Sequence, residues 1–164
     1  MEVRGEVLIR KDRFDAMNDE RSKANQLVFA NARNAATGGL RMKDPREVAK
    51  RNLEAFIYTL GYAVDDKGAD GLEHFSTHDD SLEFLSSIGF KVPVKERAVC
   101  KNIEEAIDFC LKWQEKRENY EYEIDGMVVK VNSRELQERA GHTSHHPRWA
   151  IAFKFQAKQA TTKL

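Results

Sequence analysis

Runs of branched and aromatic residues alternate along the chain with stretches whose apolar residues recur every three or four positions. Residues 2–9, EVRGEVLI, read as a strand, and 12–24 as a polar helix with Phe14 and Met17 on one side. Asp44 followed by Pro45 opens a short helix, with Asp as cap and Pro in the first turn. Residues 53–63, LEAFIYTLGYA, predict a second strand, and 64–72, VDDKGADGL, a loop. Thr77 opens a helix that Gly89 ends. Asn102 with Glu105 forms a capping-box pattern, and Ile103, Ala106, Ile107, Cys110 and Trp113 form a core stripe at helical spacing. Strand 124–132 follows, then a short helix from Ser133 to Gly141, then a last strand, RWAIAFKFQ, at 148–156. This order predicts an α+β fold on a mixed or antiparallel sheet with flanking helices.

Composition narrows the class. The 164 residues are enough for one domain with a core, and 41% of them are apolar. Lys plus Arg and Asp plus Glu both number 27, which argues against wholesale attraction to nucleic acid but leaves room for a local basic patch. No apolar run reaches membrane-spanning length, and nothing resembles a signal peptide, so no membrane role is expected. Cys100 and Cys110 have no metal-ligand spacing. Cys110 falls on the apolar helix face and reads as a core thiol in a reducing cytoplasm. HTSHH at 142–146 lacks a supporting carboxylate or cysteine pattern and reads as a polar loop before Pro147 rather than a zinc site.

Two lysines break the apolar pattern. In IDGMVVKV, at 124–131, Val128, Val129 and Val131 fit a strand buried on both faces, and Lys130 does not, because a buried charge is costly unless paired. Lys154 poses the same problem in the last strand. A lone strand lysine usually snorkels from an edge, but two in one setting point to an anion between them, and phosphate is the obvious one. Glu6, just after Gly5, could accept from sugar hydroxyls or hold a hydrated magnesium ion. Arg33 and Arg41, within the small-residue stretch 29–42, add donors. Tyr58 either packs in the core or offers its ring face to a base. These residues read as a nucleotide-phosphate site on a sheet, without a Walker or Rossmann loop, since TGGLR at 37–41 matches neither spacing.

EVRGE at 2–6, FANARNAATGGLR at 29–41, IDGMVVKVN at 124–132 and RWAIAFKF at 148–155 together resemble the adenylation domain of bacterial NAD-dependent DNA ligases, in the family's order and at about its spacing. The resemblance runs from residue 1 to about 157. It implies the ATP-grasp-like nucleotidyltransferase fold of DNA ligases. It also implies a reaction in which AMP from NAD is attached to a lysine, passed to the 5′-phosphate of nicked duplex DNA, and released as the nick is sealed. That places the chain in DNA replication and repair, with magnesium as helper ion. Glu6 then matches the glutamate that contacts ribose and helps organise the metal through water. Arg33 and Arg41 match the two arginines serving the adenylate and DNA phosphates, and Tyr58 the aromatic stacked on adenine. Asp125 and Lys130 match the acid and base of the later strand, Lys154 the lysine that contacts the AMP phosphate, and Arg117 an arginine used near the reacting phosphates. On this reading Lys130 and Lys154 neutralise charge developing on the α-phosphorus.

One feature of the family is missing. Its nucleophile lies in Lys-x-Asp-Gly, upstream of EVRGE, and no such motif occurs here. KGADG at 67–71 has a residue too many, and EIDG at 123–126 offers Glu123 instead of lysine. The expectation is therefore a piece of a ligase: a partial adenylation domain at 1–157, the start of a linker to an oligonucleotide-binding fold at 158–164, and no nick sealing by this chain alone. Exposed sheet edges would favour aggregation or dimerisation. A segment or separate chain carrying the nucleophile is an implied partner. The alternatives are a stand-alone module that binds adenylate or DNA phosphate without catalysis, and a scaffold with no ligand. Smaller departures are Ala32 and Gln156 where the family commonly has proline, and Thr37 and Gly39 where it usually has Ala or Ser. Gly39 is expected to loosen a phosphate-facing turn.

Overall fold

In the computed structural model, which describes residues 1–157, the backbone groups into two compact units. One is Met1–Arg97 with Tyr120–Glu123; the other is Ala98–Asn119 with the residues from Ile124 onward. Residues 158–164, expected to begin a linker, lie outside the described residues.

The first unit is built on an antiparallel pair, β1 (Glu2–Leu8) and β2 (Glu54–Tyr62). Its core is Leu60, Leu82, Leu85 and Val92, flanked by Val3, Ile57, Ala63, Leu72, Phe75 and Phe90. Ile57, Leu60 and Ala63 are three apart, which a regular strand would divide between its two faces. The register explains them. Arg4 pairs with Thr59 and Gly5 with Ile57, so Tyr58 is an extra residue; Glu2 pairs with Tyr62 and Val3 with Leu60, so Gly61 is another. Each bulge flips the strand and returns the next apolar residue to the core side. At Gly5 a side chain would meet the Phe56 carbonyl oxygen at 2.5 Å and Ile57 Cδ1 at 2.7 Å, so the close pairing requires glycine there.

Helices surround this pair. They are α1 (Lys11–Lys23), α2 (Ala32–Leu40), α3 (Pro45–Ala49) and α4 (His78–Ser87), with a 3-10 turn at Gly71–His74. Asp44 caps α3 and precedes Pro45 as the sequence predicts. Thr77 and Asp80 form a reciprocal capping box on α4, and Gly89 closes it with φ +96°. α2 packs on β1, and its buried residues Ala32, Ala35, Ala36 and Gly39 form one face of small side chains. This corrects the expectation for Gly39. It lies inside a helix, not at a turn, and its missing side chain makes room for Leu53, whose Cδ1 would sit 3.1 Å from an added Cβ.

The second unit holds α5 (Ile103–Lys116), β3 (Gly126–Lys130), α6 (Arg134–Ala140) and β4 (Ala150–Lys154). β3 and β4 pair antiparallel. The expected single sheet is therefore two separate two-stranded sheets among the described residues. α5 covers only one side of its sheet, so β3 is not buried on both faces, and Val128 is 60% exposed. The helix stripe is likewise a core stripe only at its C-terminal end. Cys110 and Trp113 are buried, whereas Ile103 and Ile107 stay exposed beside an apolar groove shared with Val129, Ile151 and Phe153.

Candidate functional site

The β3–β4 register places the anomalous lysines. Gly126 pairs with Lys154, Val128 with Ala152 and Lys130 with Ala150. Side chains alternate along a strand, so all six share one face, while Met127, Phe153, Val129 and Ile151 take the other. Lys130 and Lys154 thus stand at opposite corners of a floor made of Gly, Val and two Ala. Four residues of strand and one strand spacing separate their Cα atoms by about 14 Å. The two ammonium groups meet only if both long side chains lean inward across that floor.

Their electrostatics differ. Lys130 is partly buried, and loss of hydration pulls its pKa down from 10.5 to about 8. Lys154 is exposed, and its Nζ pairs with Asp125 Oδ2 at 2.9 Å. Asp125 also accepts the Phe155 N–H through its backbone oxygen at 2.9 Å, so Asp125 and the end of β4 are tied at two levels. β3 is fixed at its exit by Gln137, a buried side chain whose Nε2 donates to the Val131 carbonyl at 2.6 Å. Arg117, at the end of α5, donates from Nη1 to the Gln156 carbonyl at 2.8 Å, and its guanidinium lies 6.0 Å from the Phe155 ring centre.

The remaining candidates belong to the first unit. Glu6 pairs with Phe56 on the side of β1 facing away from the Leu60 core, and is exposed. Tyr58, the extra residue of the first bulge, is 40% exposed. A bulge re-aims the side chain it carries, so Tyr58 is not the core residue that its place in an apolar strand allowed. Arg33 sits in the first turn of α2 and Arg41 at its C-cap, both exposed and about 12 Å apart along the helix axis. Among the described residues no group of three or more His, Cys, Asp or Glu side chains could hold a metal. Glu6 by itself fits only a hydrated magnesium ion held mainly by other groups.

Sequence reasoning missed the residues that hold these donors in place. Phe29 is pinned by Asn18, which accepts its N–H at 2.9 Å and donates to its carbonyl at 3.0 Å. The guanidinium groups of Arg21 and Arg51 lie 4.5 and 4.6 Å from the Phe29 ring centre, and Arg51 also donates to the Ala35 carbonyl at 3.3 Å. The start of the Arg33–Arg41 helix is thereby anchored to α1. Lys91 is a second such hub: it pairs with Glu54, donates to Tyr122 Oη at 3.1 Å, and sits 4.4 Å from the Phe56 ring centre. Hydrogen bonding to Glu54 raises the Lys91 pKa and lowers that of Glu54. Nothing in the local pattern marks these residues, because their partners are 8 to 37 residues away.

A family model described as the NAD-dependent DNA ligase adenylation domain matches residues 1–158. Proteins named DNA ligase from Persephonella marina, Sulfurihydrogenibium azorense and Aquifex aeolicus are 55%, 54% and 53% identical to this chain. The matches cover 100%, 100% and 99% of the chain but 23%, 23% and 22% of those proteins. The chain thus spans less than a quarter of the length of the relatives it matches.

Proposed function

The chain belongs to the NAD-dependent DNA ligase adenylation-domain family, and from that premise we propose that it supplies the AMP-binding surface of a ligase that seals nicks in duplex DNA. The observation that carries this reading is the β3–β4 face: two lysines at the corners of a floor of small side chains, one of them stripped of much of its hydration.

In the proposed mechanism NAD delivers the AMP moiety, with its α-phosphate between Lys130 and Lys154. Preorganised cations stabilise charge that builds on a phosphoryl group as bonds change, and need no rearrangement at that moment. Asp125 holds Lys154 in place until the phosphate competes for it. The family resemblance assigns Glu6 the ribose hydroxyls and Tyr58 the adenine ring, and Glu6 would hold a magnesium ion through water. The same resemblance assigns Arg33, Arg41 and Arg117 to phosphates of the nucleotide or of nicked DNA. The sequence contains no Lys-x-Asp-Gly, so this chain binds and orients the adenylate and forms no stable AMP–lysine adduct by itself. The ATP-grasp-like fold, work in replication and repair, and a cytoplasmic setting follow from the same family premise. No helix among the described residues is long and apolar enough to cross a membrane.

The test is a titration of the chain with AMP and with NAD, followed by calorimetry and NMR shifts, with Lys130→Ala beside it. Saturable AMP binding that falls at least tenfold in Lys130→Ala is the expected result. Absence of binding at millimolar AMP, or equal binding by the variant, overturns the reading of this face.

A further inference from the structure

The ladder between β3 and β4 stops at the Gly126–Lys154 pair, yet the chain beyond it stays ordered by three consecutive main-chain bonds. Phe155 N–H donates to the Asp125 carbonyl at 2.9 Å. Gln156 N–H donates to Gln114 Oε1 at 3.1 Å, and the Gln156 carbonyl accepts from Arg117 at 2.8 Å. Gln114 and Arg117 are three apart on α5, so they lie on one helix face and grip both polar groups of a single peptide residue. Phe155, 7% exposed, buries its side chain beside Arg117. The strand end that carries Lys154 is therefore held from the helix side, while its side chain is held from the other side by Asp125.

We propose that Gln114 is a positioning residue for Lys154: by accepting the Gln156 N–H, it fixes where the Lys154 ammonium stands on the phosphate-facing side of the sheet. Its value for nucleotide binding rests on the adenylate-site reading given above. Its effect on Lys154 does not. A lysine has four rotatable side-chain bonds, and its head is placed no better than the backbone that bears it. Freeing residue 156 removes a restraint just beyond the end of β4, and Lys154 is the last residue of that strand. Gln114 takes the acceptor role only; no proton or bond changes hands.

The experiment compares wild type, Gln114→Met and Gln114→Glu in the full 164-residue chain. Methionine keeps the length and bulk but cannot accept the bond as an amide oxygen does, whereas glutamate keeps the oxygen. Three quantities are read: hydrogen exchange of the Gln156 amide, NMR order parameters of the Lys154 side-chain methylenes, and AMP affinity. Expected for Gln114→Met are at least tenfold faster exchange at Gln156, a clear drop in Lys154 order, and amide shifts elsewhere unchanged. Gln114→Glu restores the first two. A role in packing alone would give the reverse ranking, with methionine tolerated and glutamate not, and would overturn the proposal. So would unchanged Lys154 order in Gln114→Met. In the AMP arm, Gln114→Met weakens binding about three- to tenfold in the wild-type background and has no further effect in Lys154→Ala, the signature of action through Lys154. Equal weakening in both backgrounds overturns it. If wild type fails to bind AMP, the adenylate reading falls, and the exchange and order measurements still decide the role of Gln114.

Discussion

An ammonium group that has lost part of its water gives up its proton more readily, and Lys130 is placed so. Unfolded, it titrates near 10.5; folded, near 8. Between those values the unfolded chain binds the extra proton, so stability rises with pH from about 8 to 10.5, and the full penalty applies below 8. At about 1.4 kcal/mol per pKa unit the penalty is on the order of 3 kcal/mol at most. Lys130→Met keeps the apolar stem and removes the charge. Urea unfolding at pH 7, 9 and 10.5 should show the variant more stable at pH 7, with the gap closing at 10.5. A gap that does not change with pH would mean that Lys130 is solvated. Bound AMP should also draw a proton onto Lys130 near pH 8 to 9. Calorimetry in two buffers of different ionisation enthalpy would then show proton uptake, and none in Lys130→Met. This lysine was legible in the sequence because a charge inside VVKV contradicts its neighbours. Gln114 and Gln137 were not, because a glutamine on a helix says nothing about which distant main-chain group it meets.

Helices and strands divide in the same way between readable and hidden. The caps at Asp44, Thr77, Asn102 and Ser133 were readable, since capping depends on residues two or three apart. α2 was hidden, because ATGGL carries two glycines, each unfavourable in a helix by roughly 0.5–1 kcal/mol relative to alanine. Packing of the small-residue face on β1 overrides that preference. The two glycines should respond differently to substitution. Gly38 has nothing within 4 Å of an added Cβ, so Gly38→Ala should stabilise by about 0.5–1 kcal/mol in thermal or urea unfolding. Gly39→Ala should lose that gain against Leu53. If both gain equally, α2 packs less closely than the geometry indicates. Strand β2 hid its core face because two bulges turn a period of two into a spacing of three, and no side-chain pattern announces a bulge. Gly126 shows how tightly strands can depend on such positions. An added Cβ would strike the Phe153 carbonyl and stand 3.1 Å from Lys154 Cα. Gly126→Ala should therefore cost about 1–3 kcal/mol and shift the Lys154 amide resonance, which an open position would not do.

At the scale of the molecule, the core of Leu60, Leu82, Leu85 and Val92 and the six residues around it all come from the first unit. The sequence showed enough apolar residues for one core but not how contacts would group, because grouping depends on which distant strands pair. The two tryptophans, Trp113 and Trp149, both belong to the second unit. Tryptophan fluorescence therefore reports that unit, while far-ultraviolet circular dichroism reports both. Leu85→Ala removes a side chain with no exposed surface from the first core and should destabilise it by about 2–5 kcal/mol. If each unit folds on its own core, the dichroism of the variant splits into an early and a late phase. The fluorescence midpoint then stays where the wild type has it. A fluorescence midpoint that moves with the dichroism would mean one cooperative transition, and the stability effects argued for Lys130 and Gly126 would then be read against the whole chain instead of the second unit.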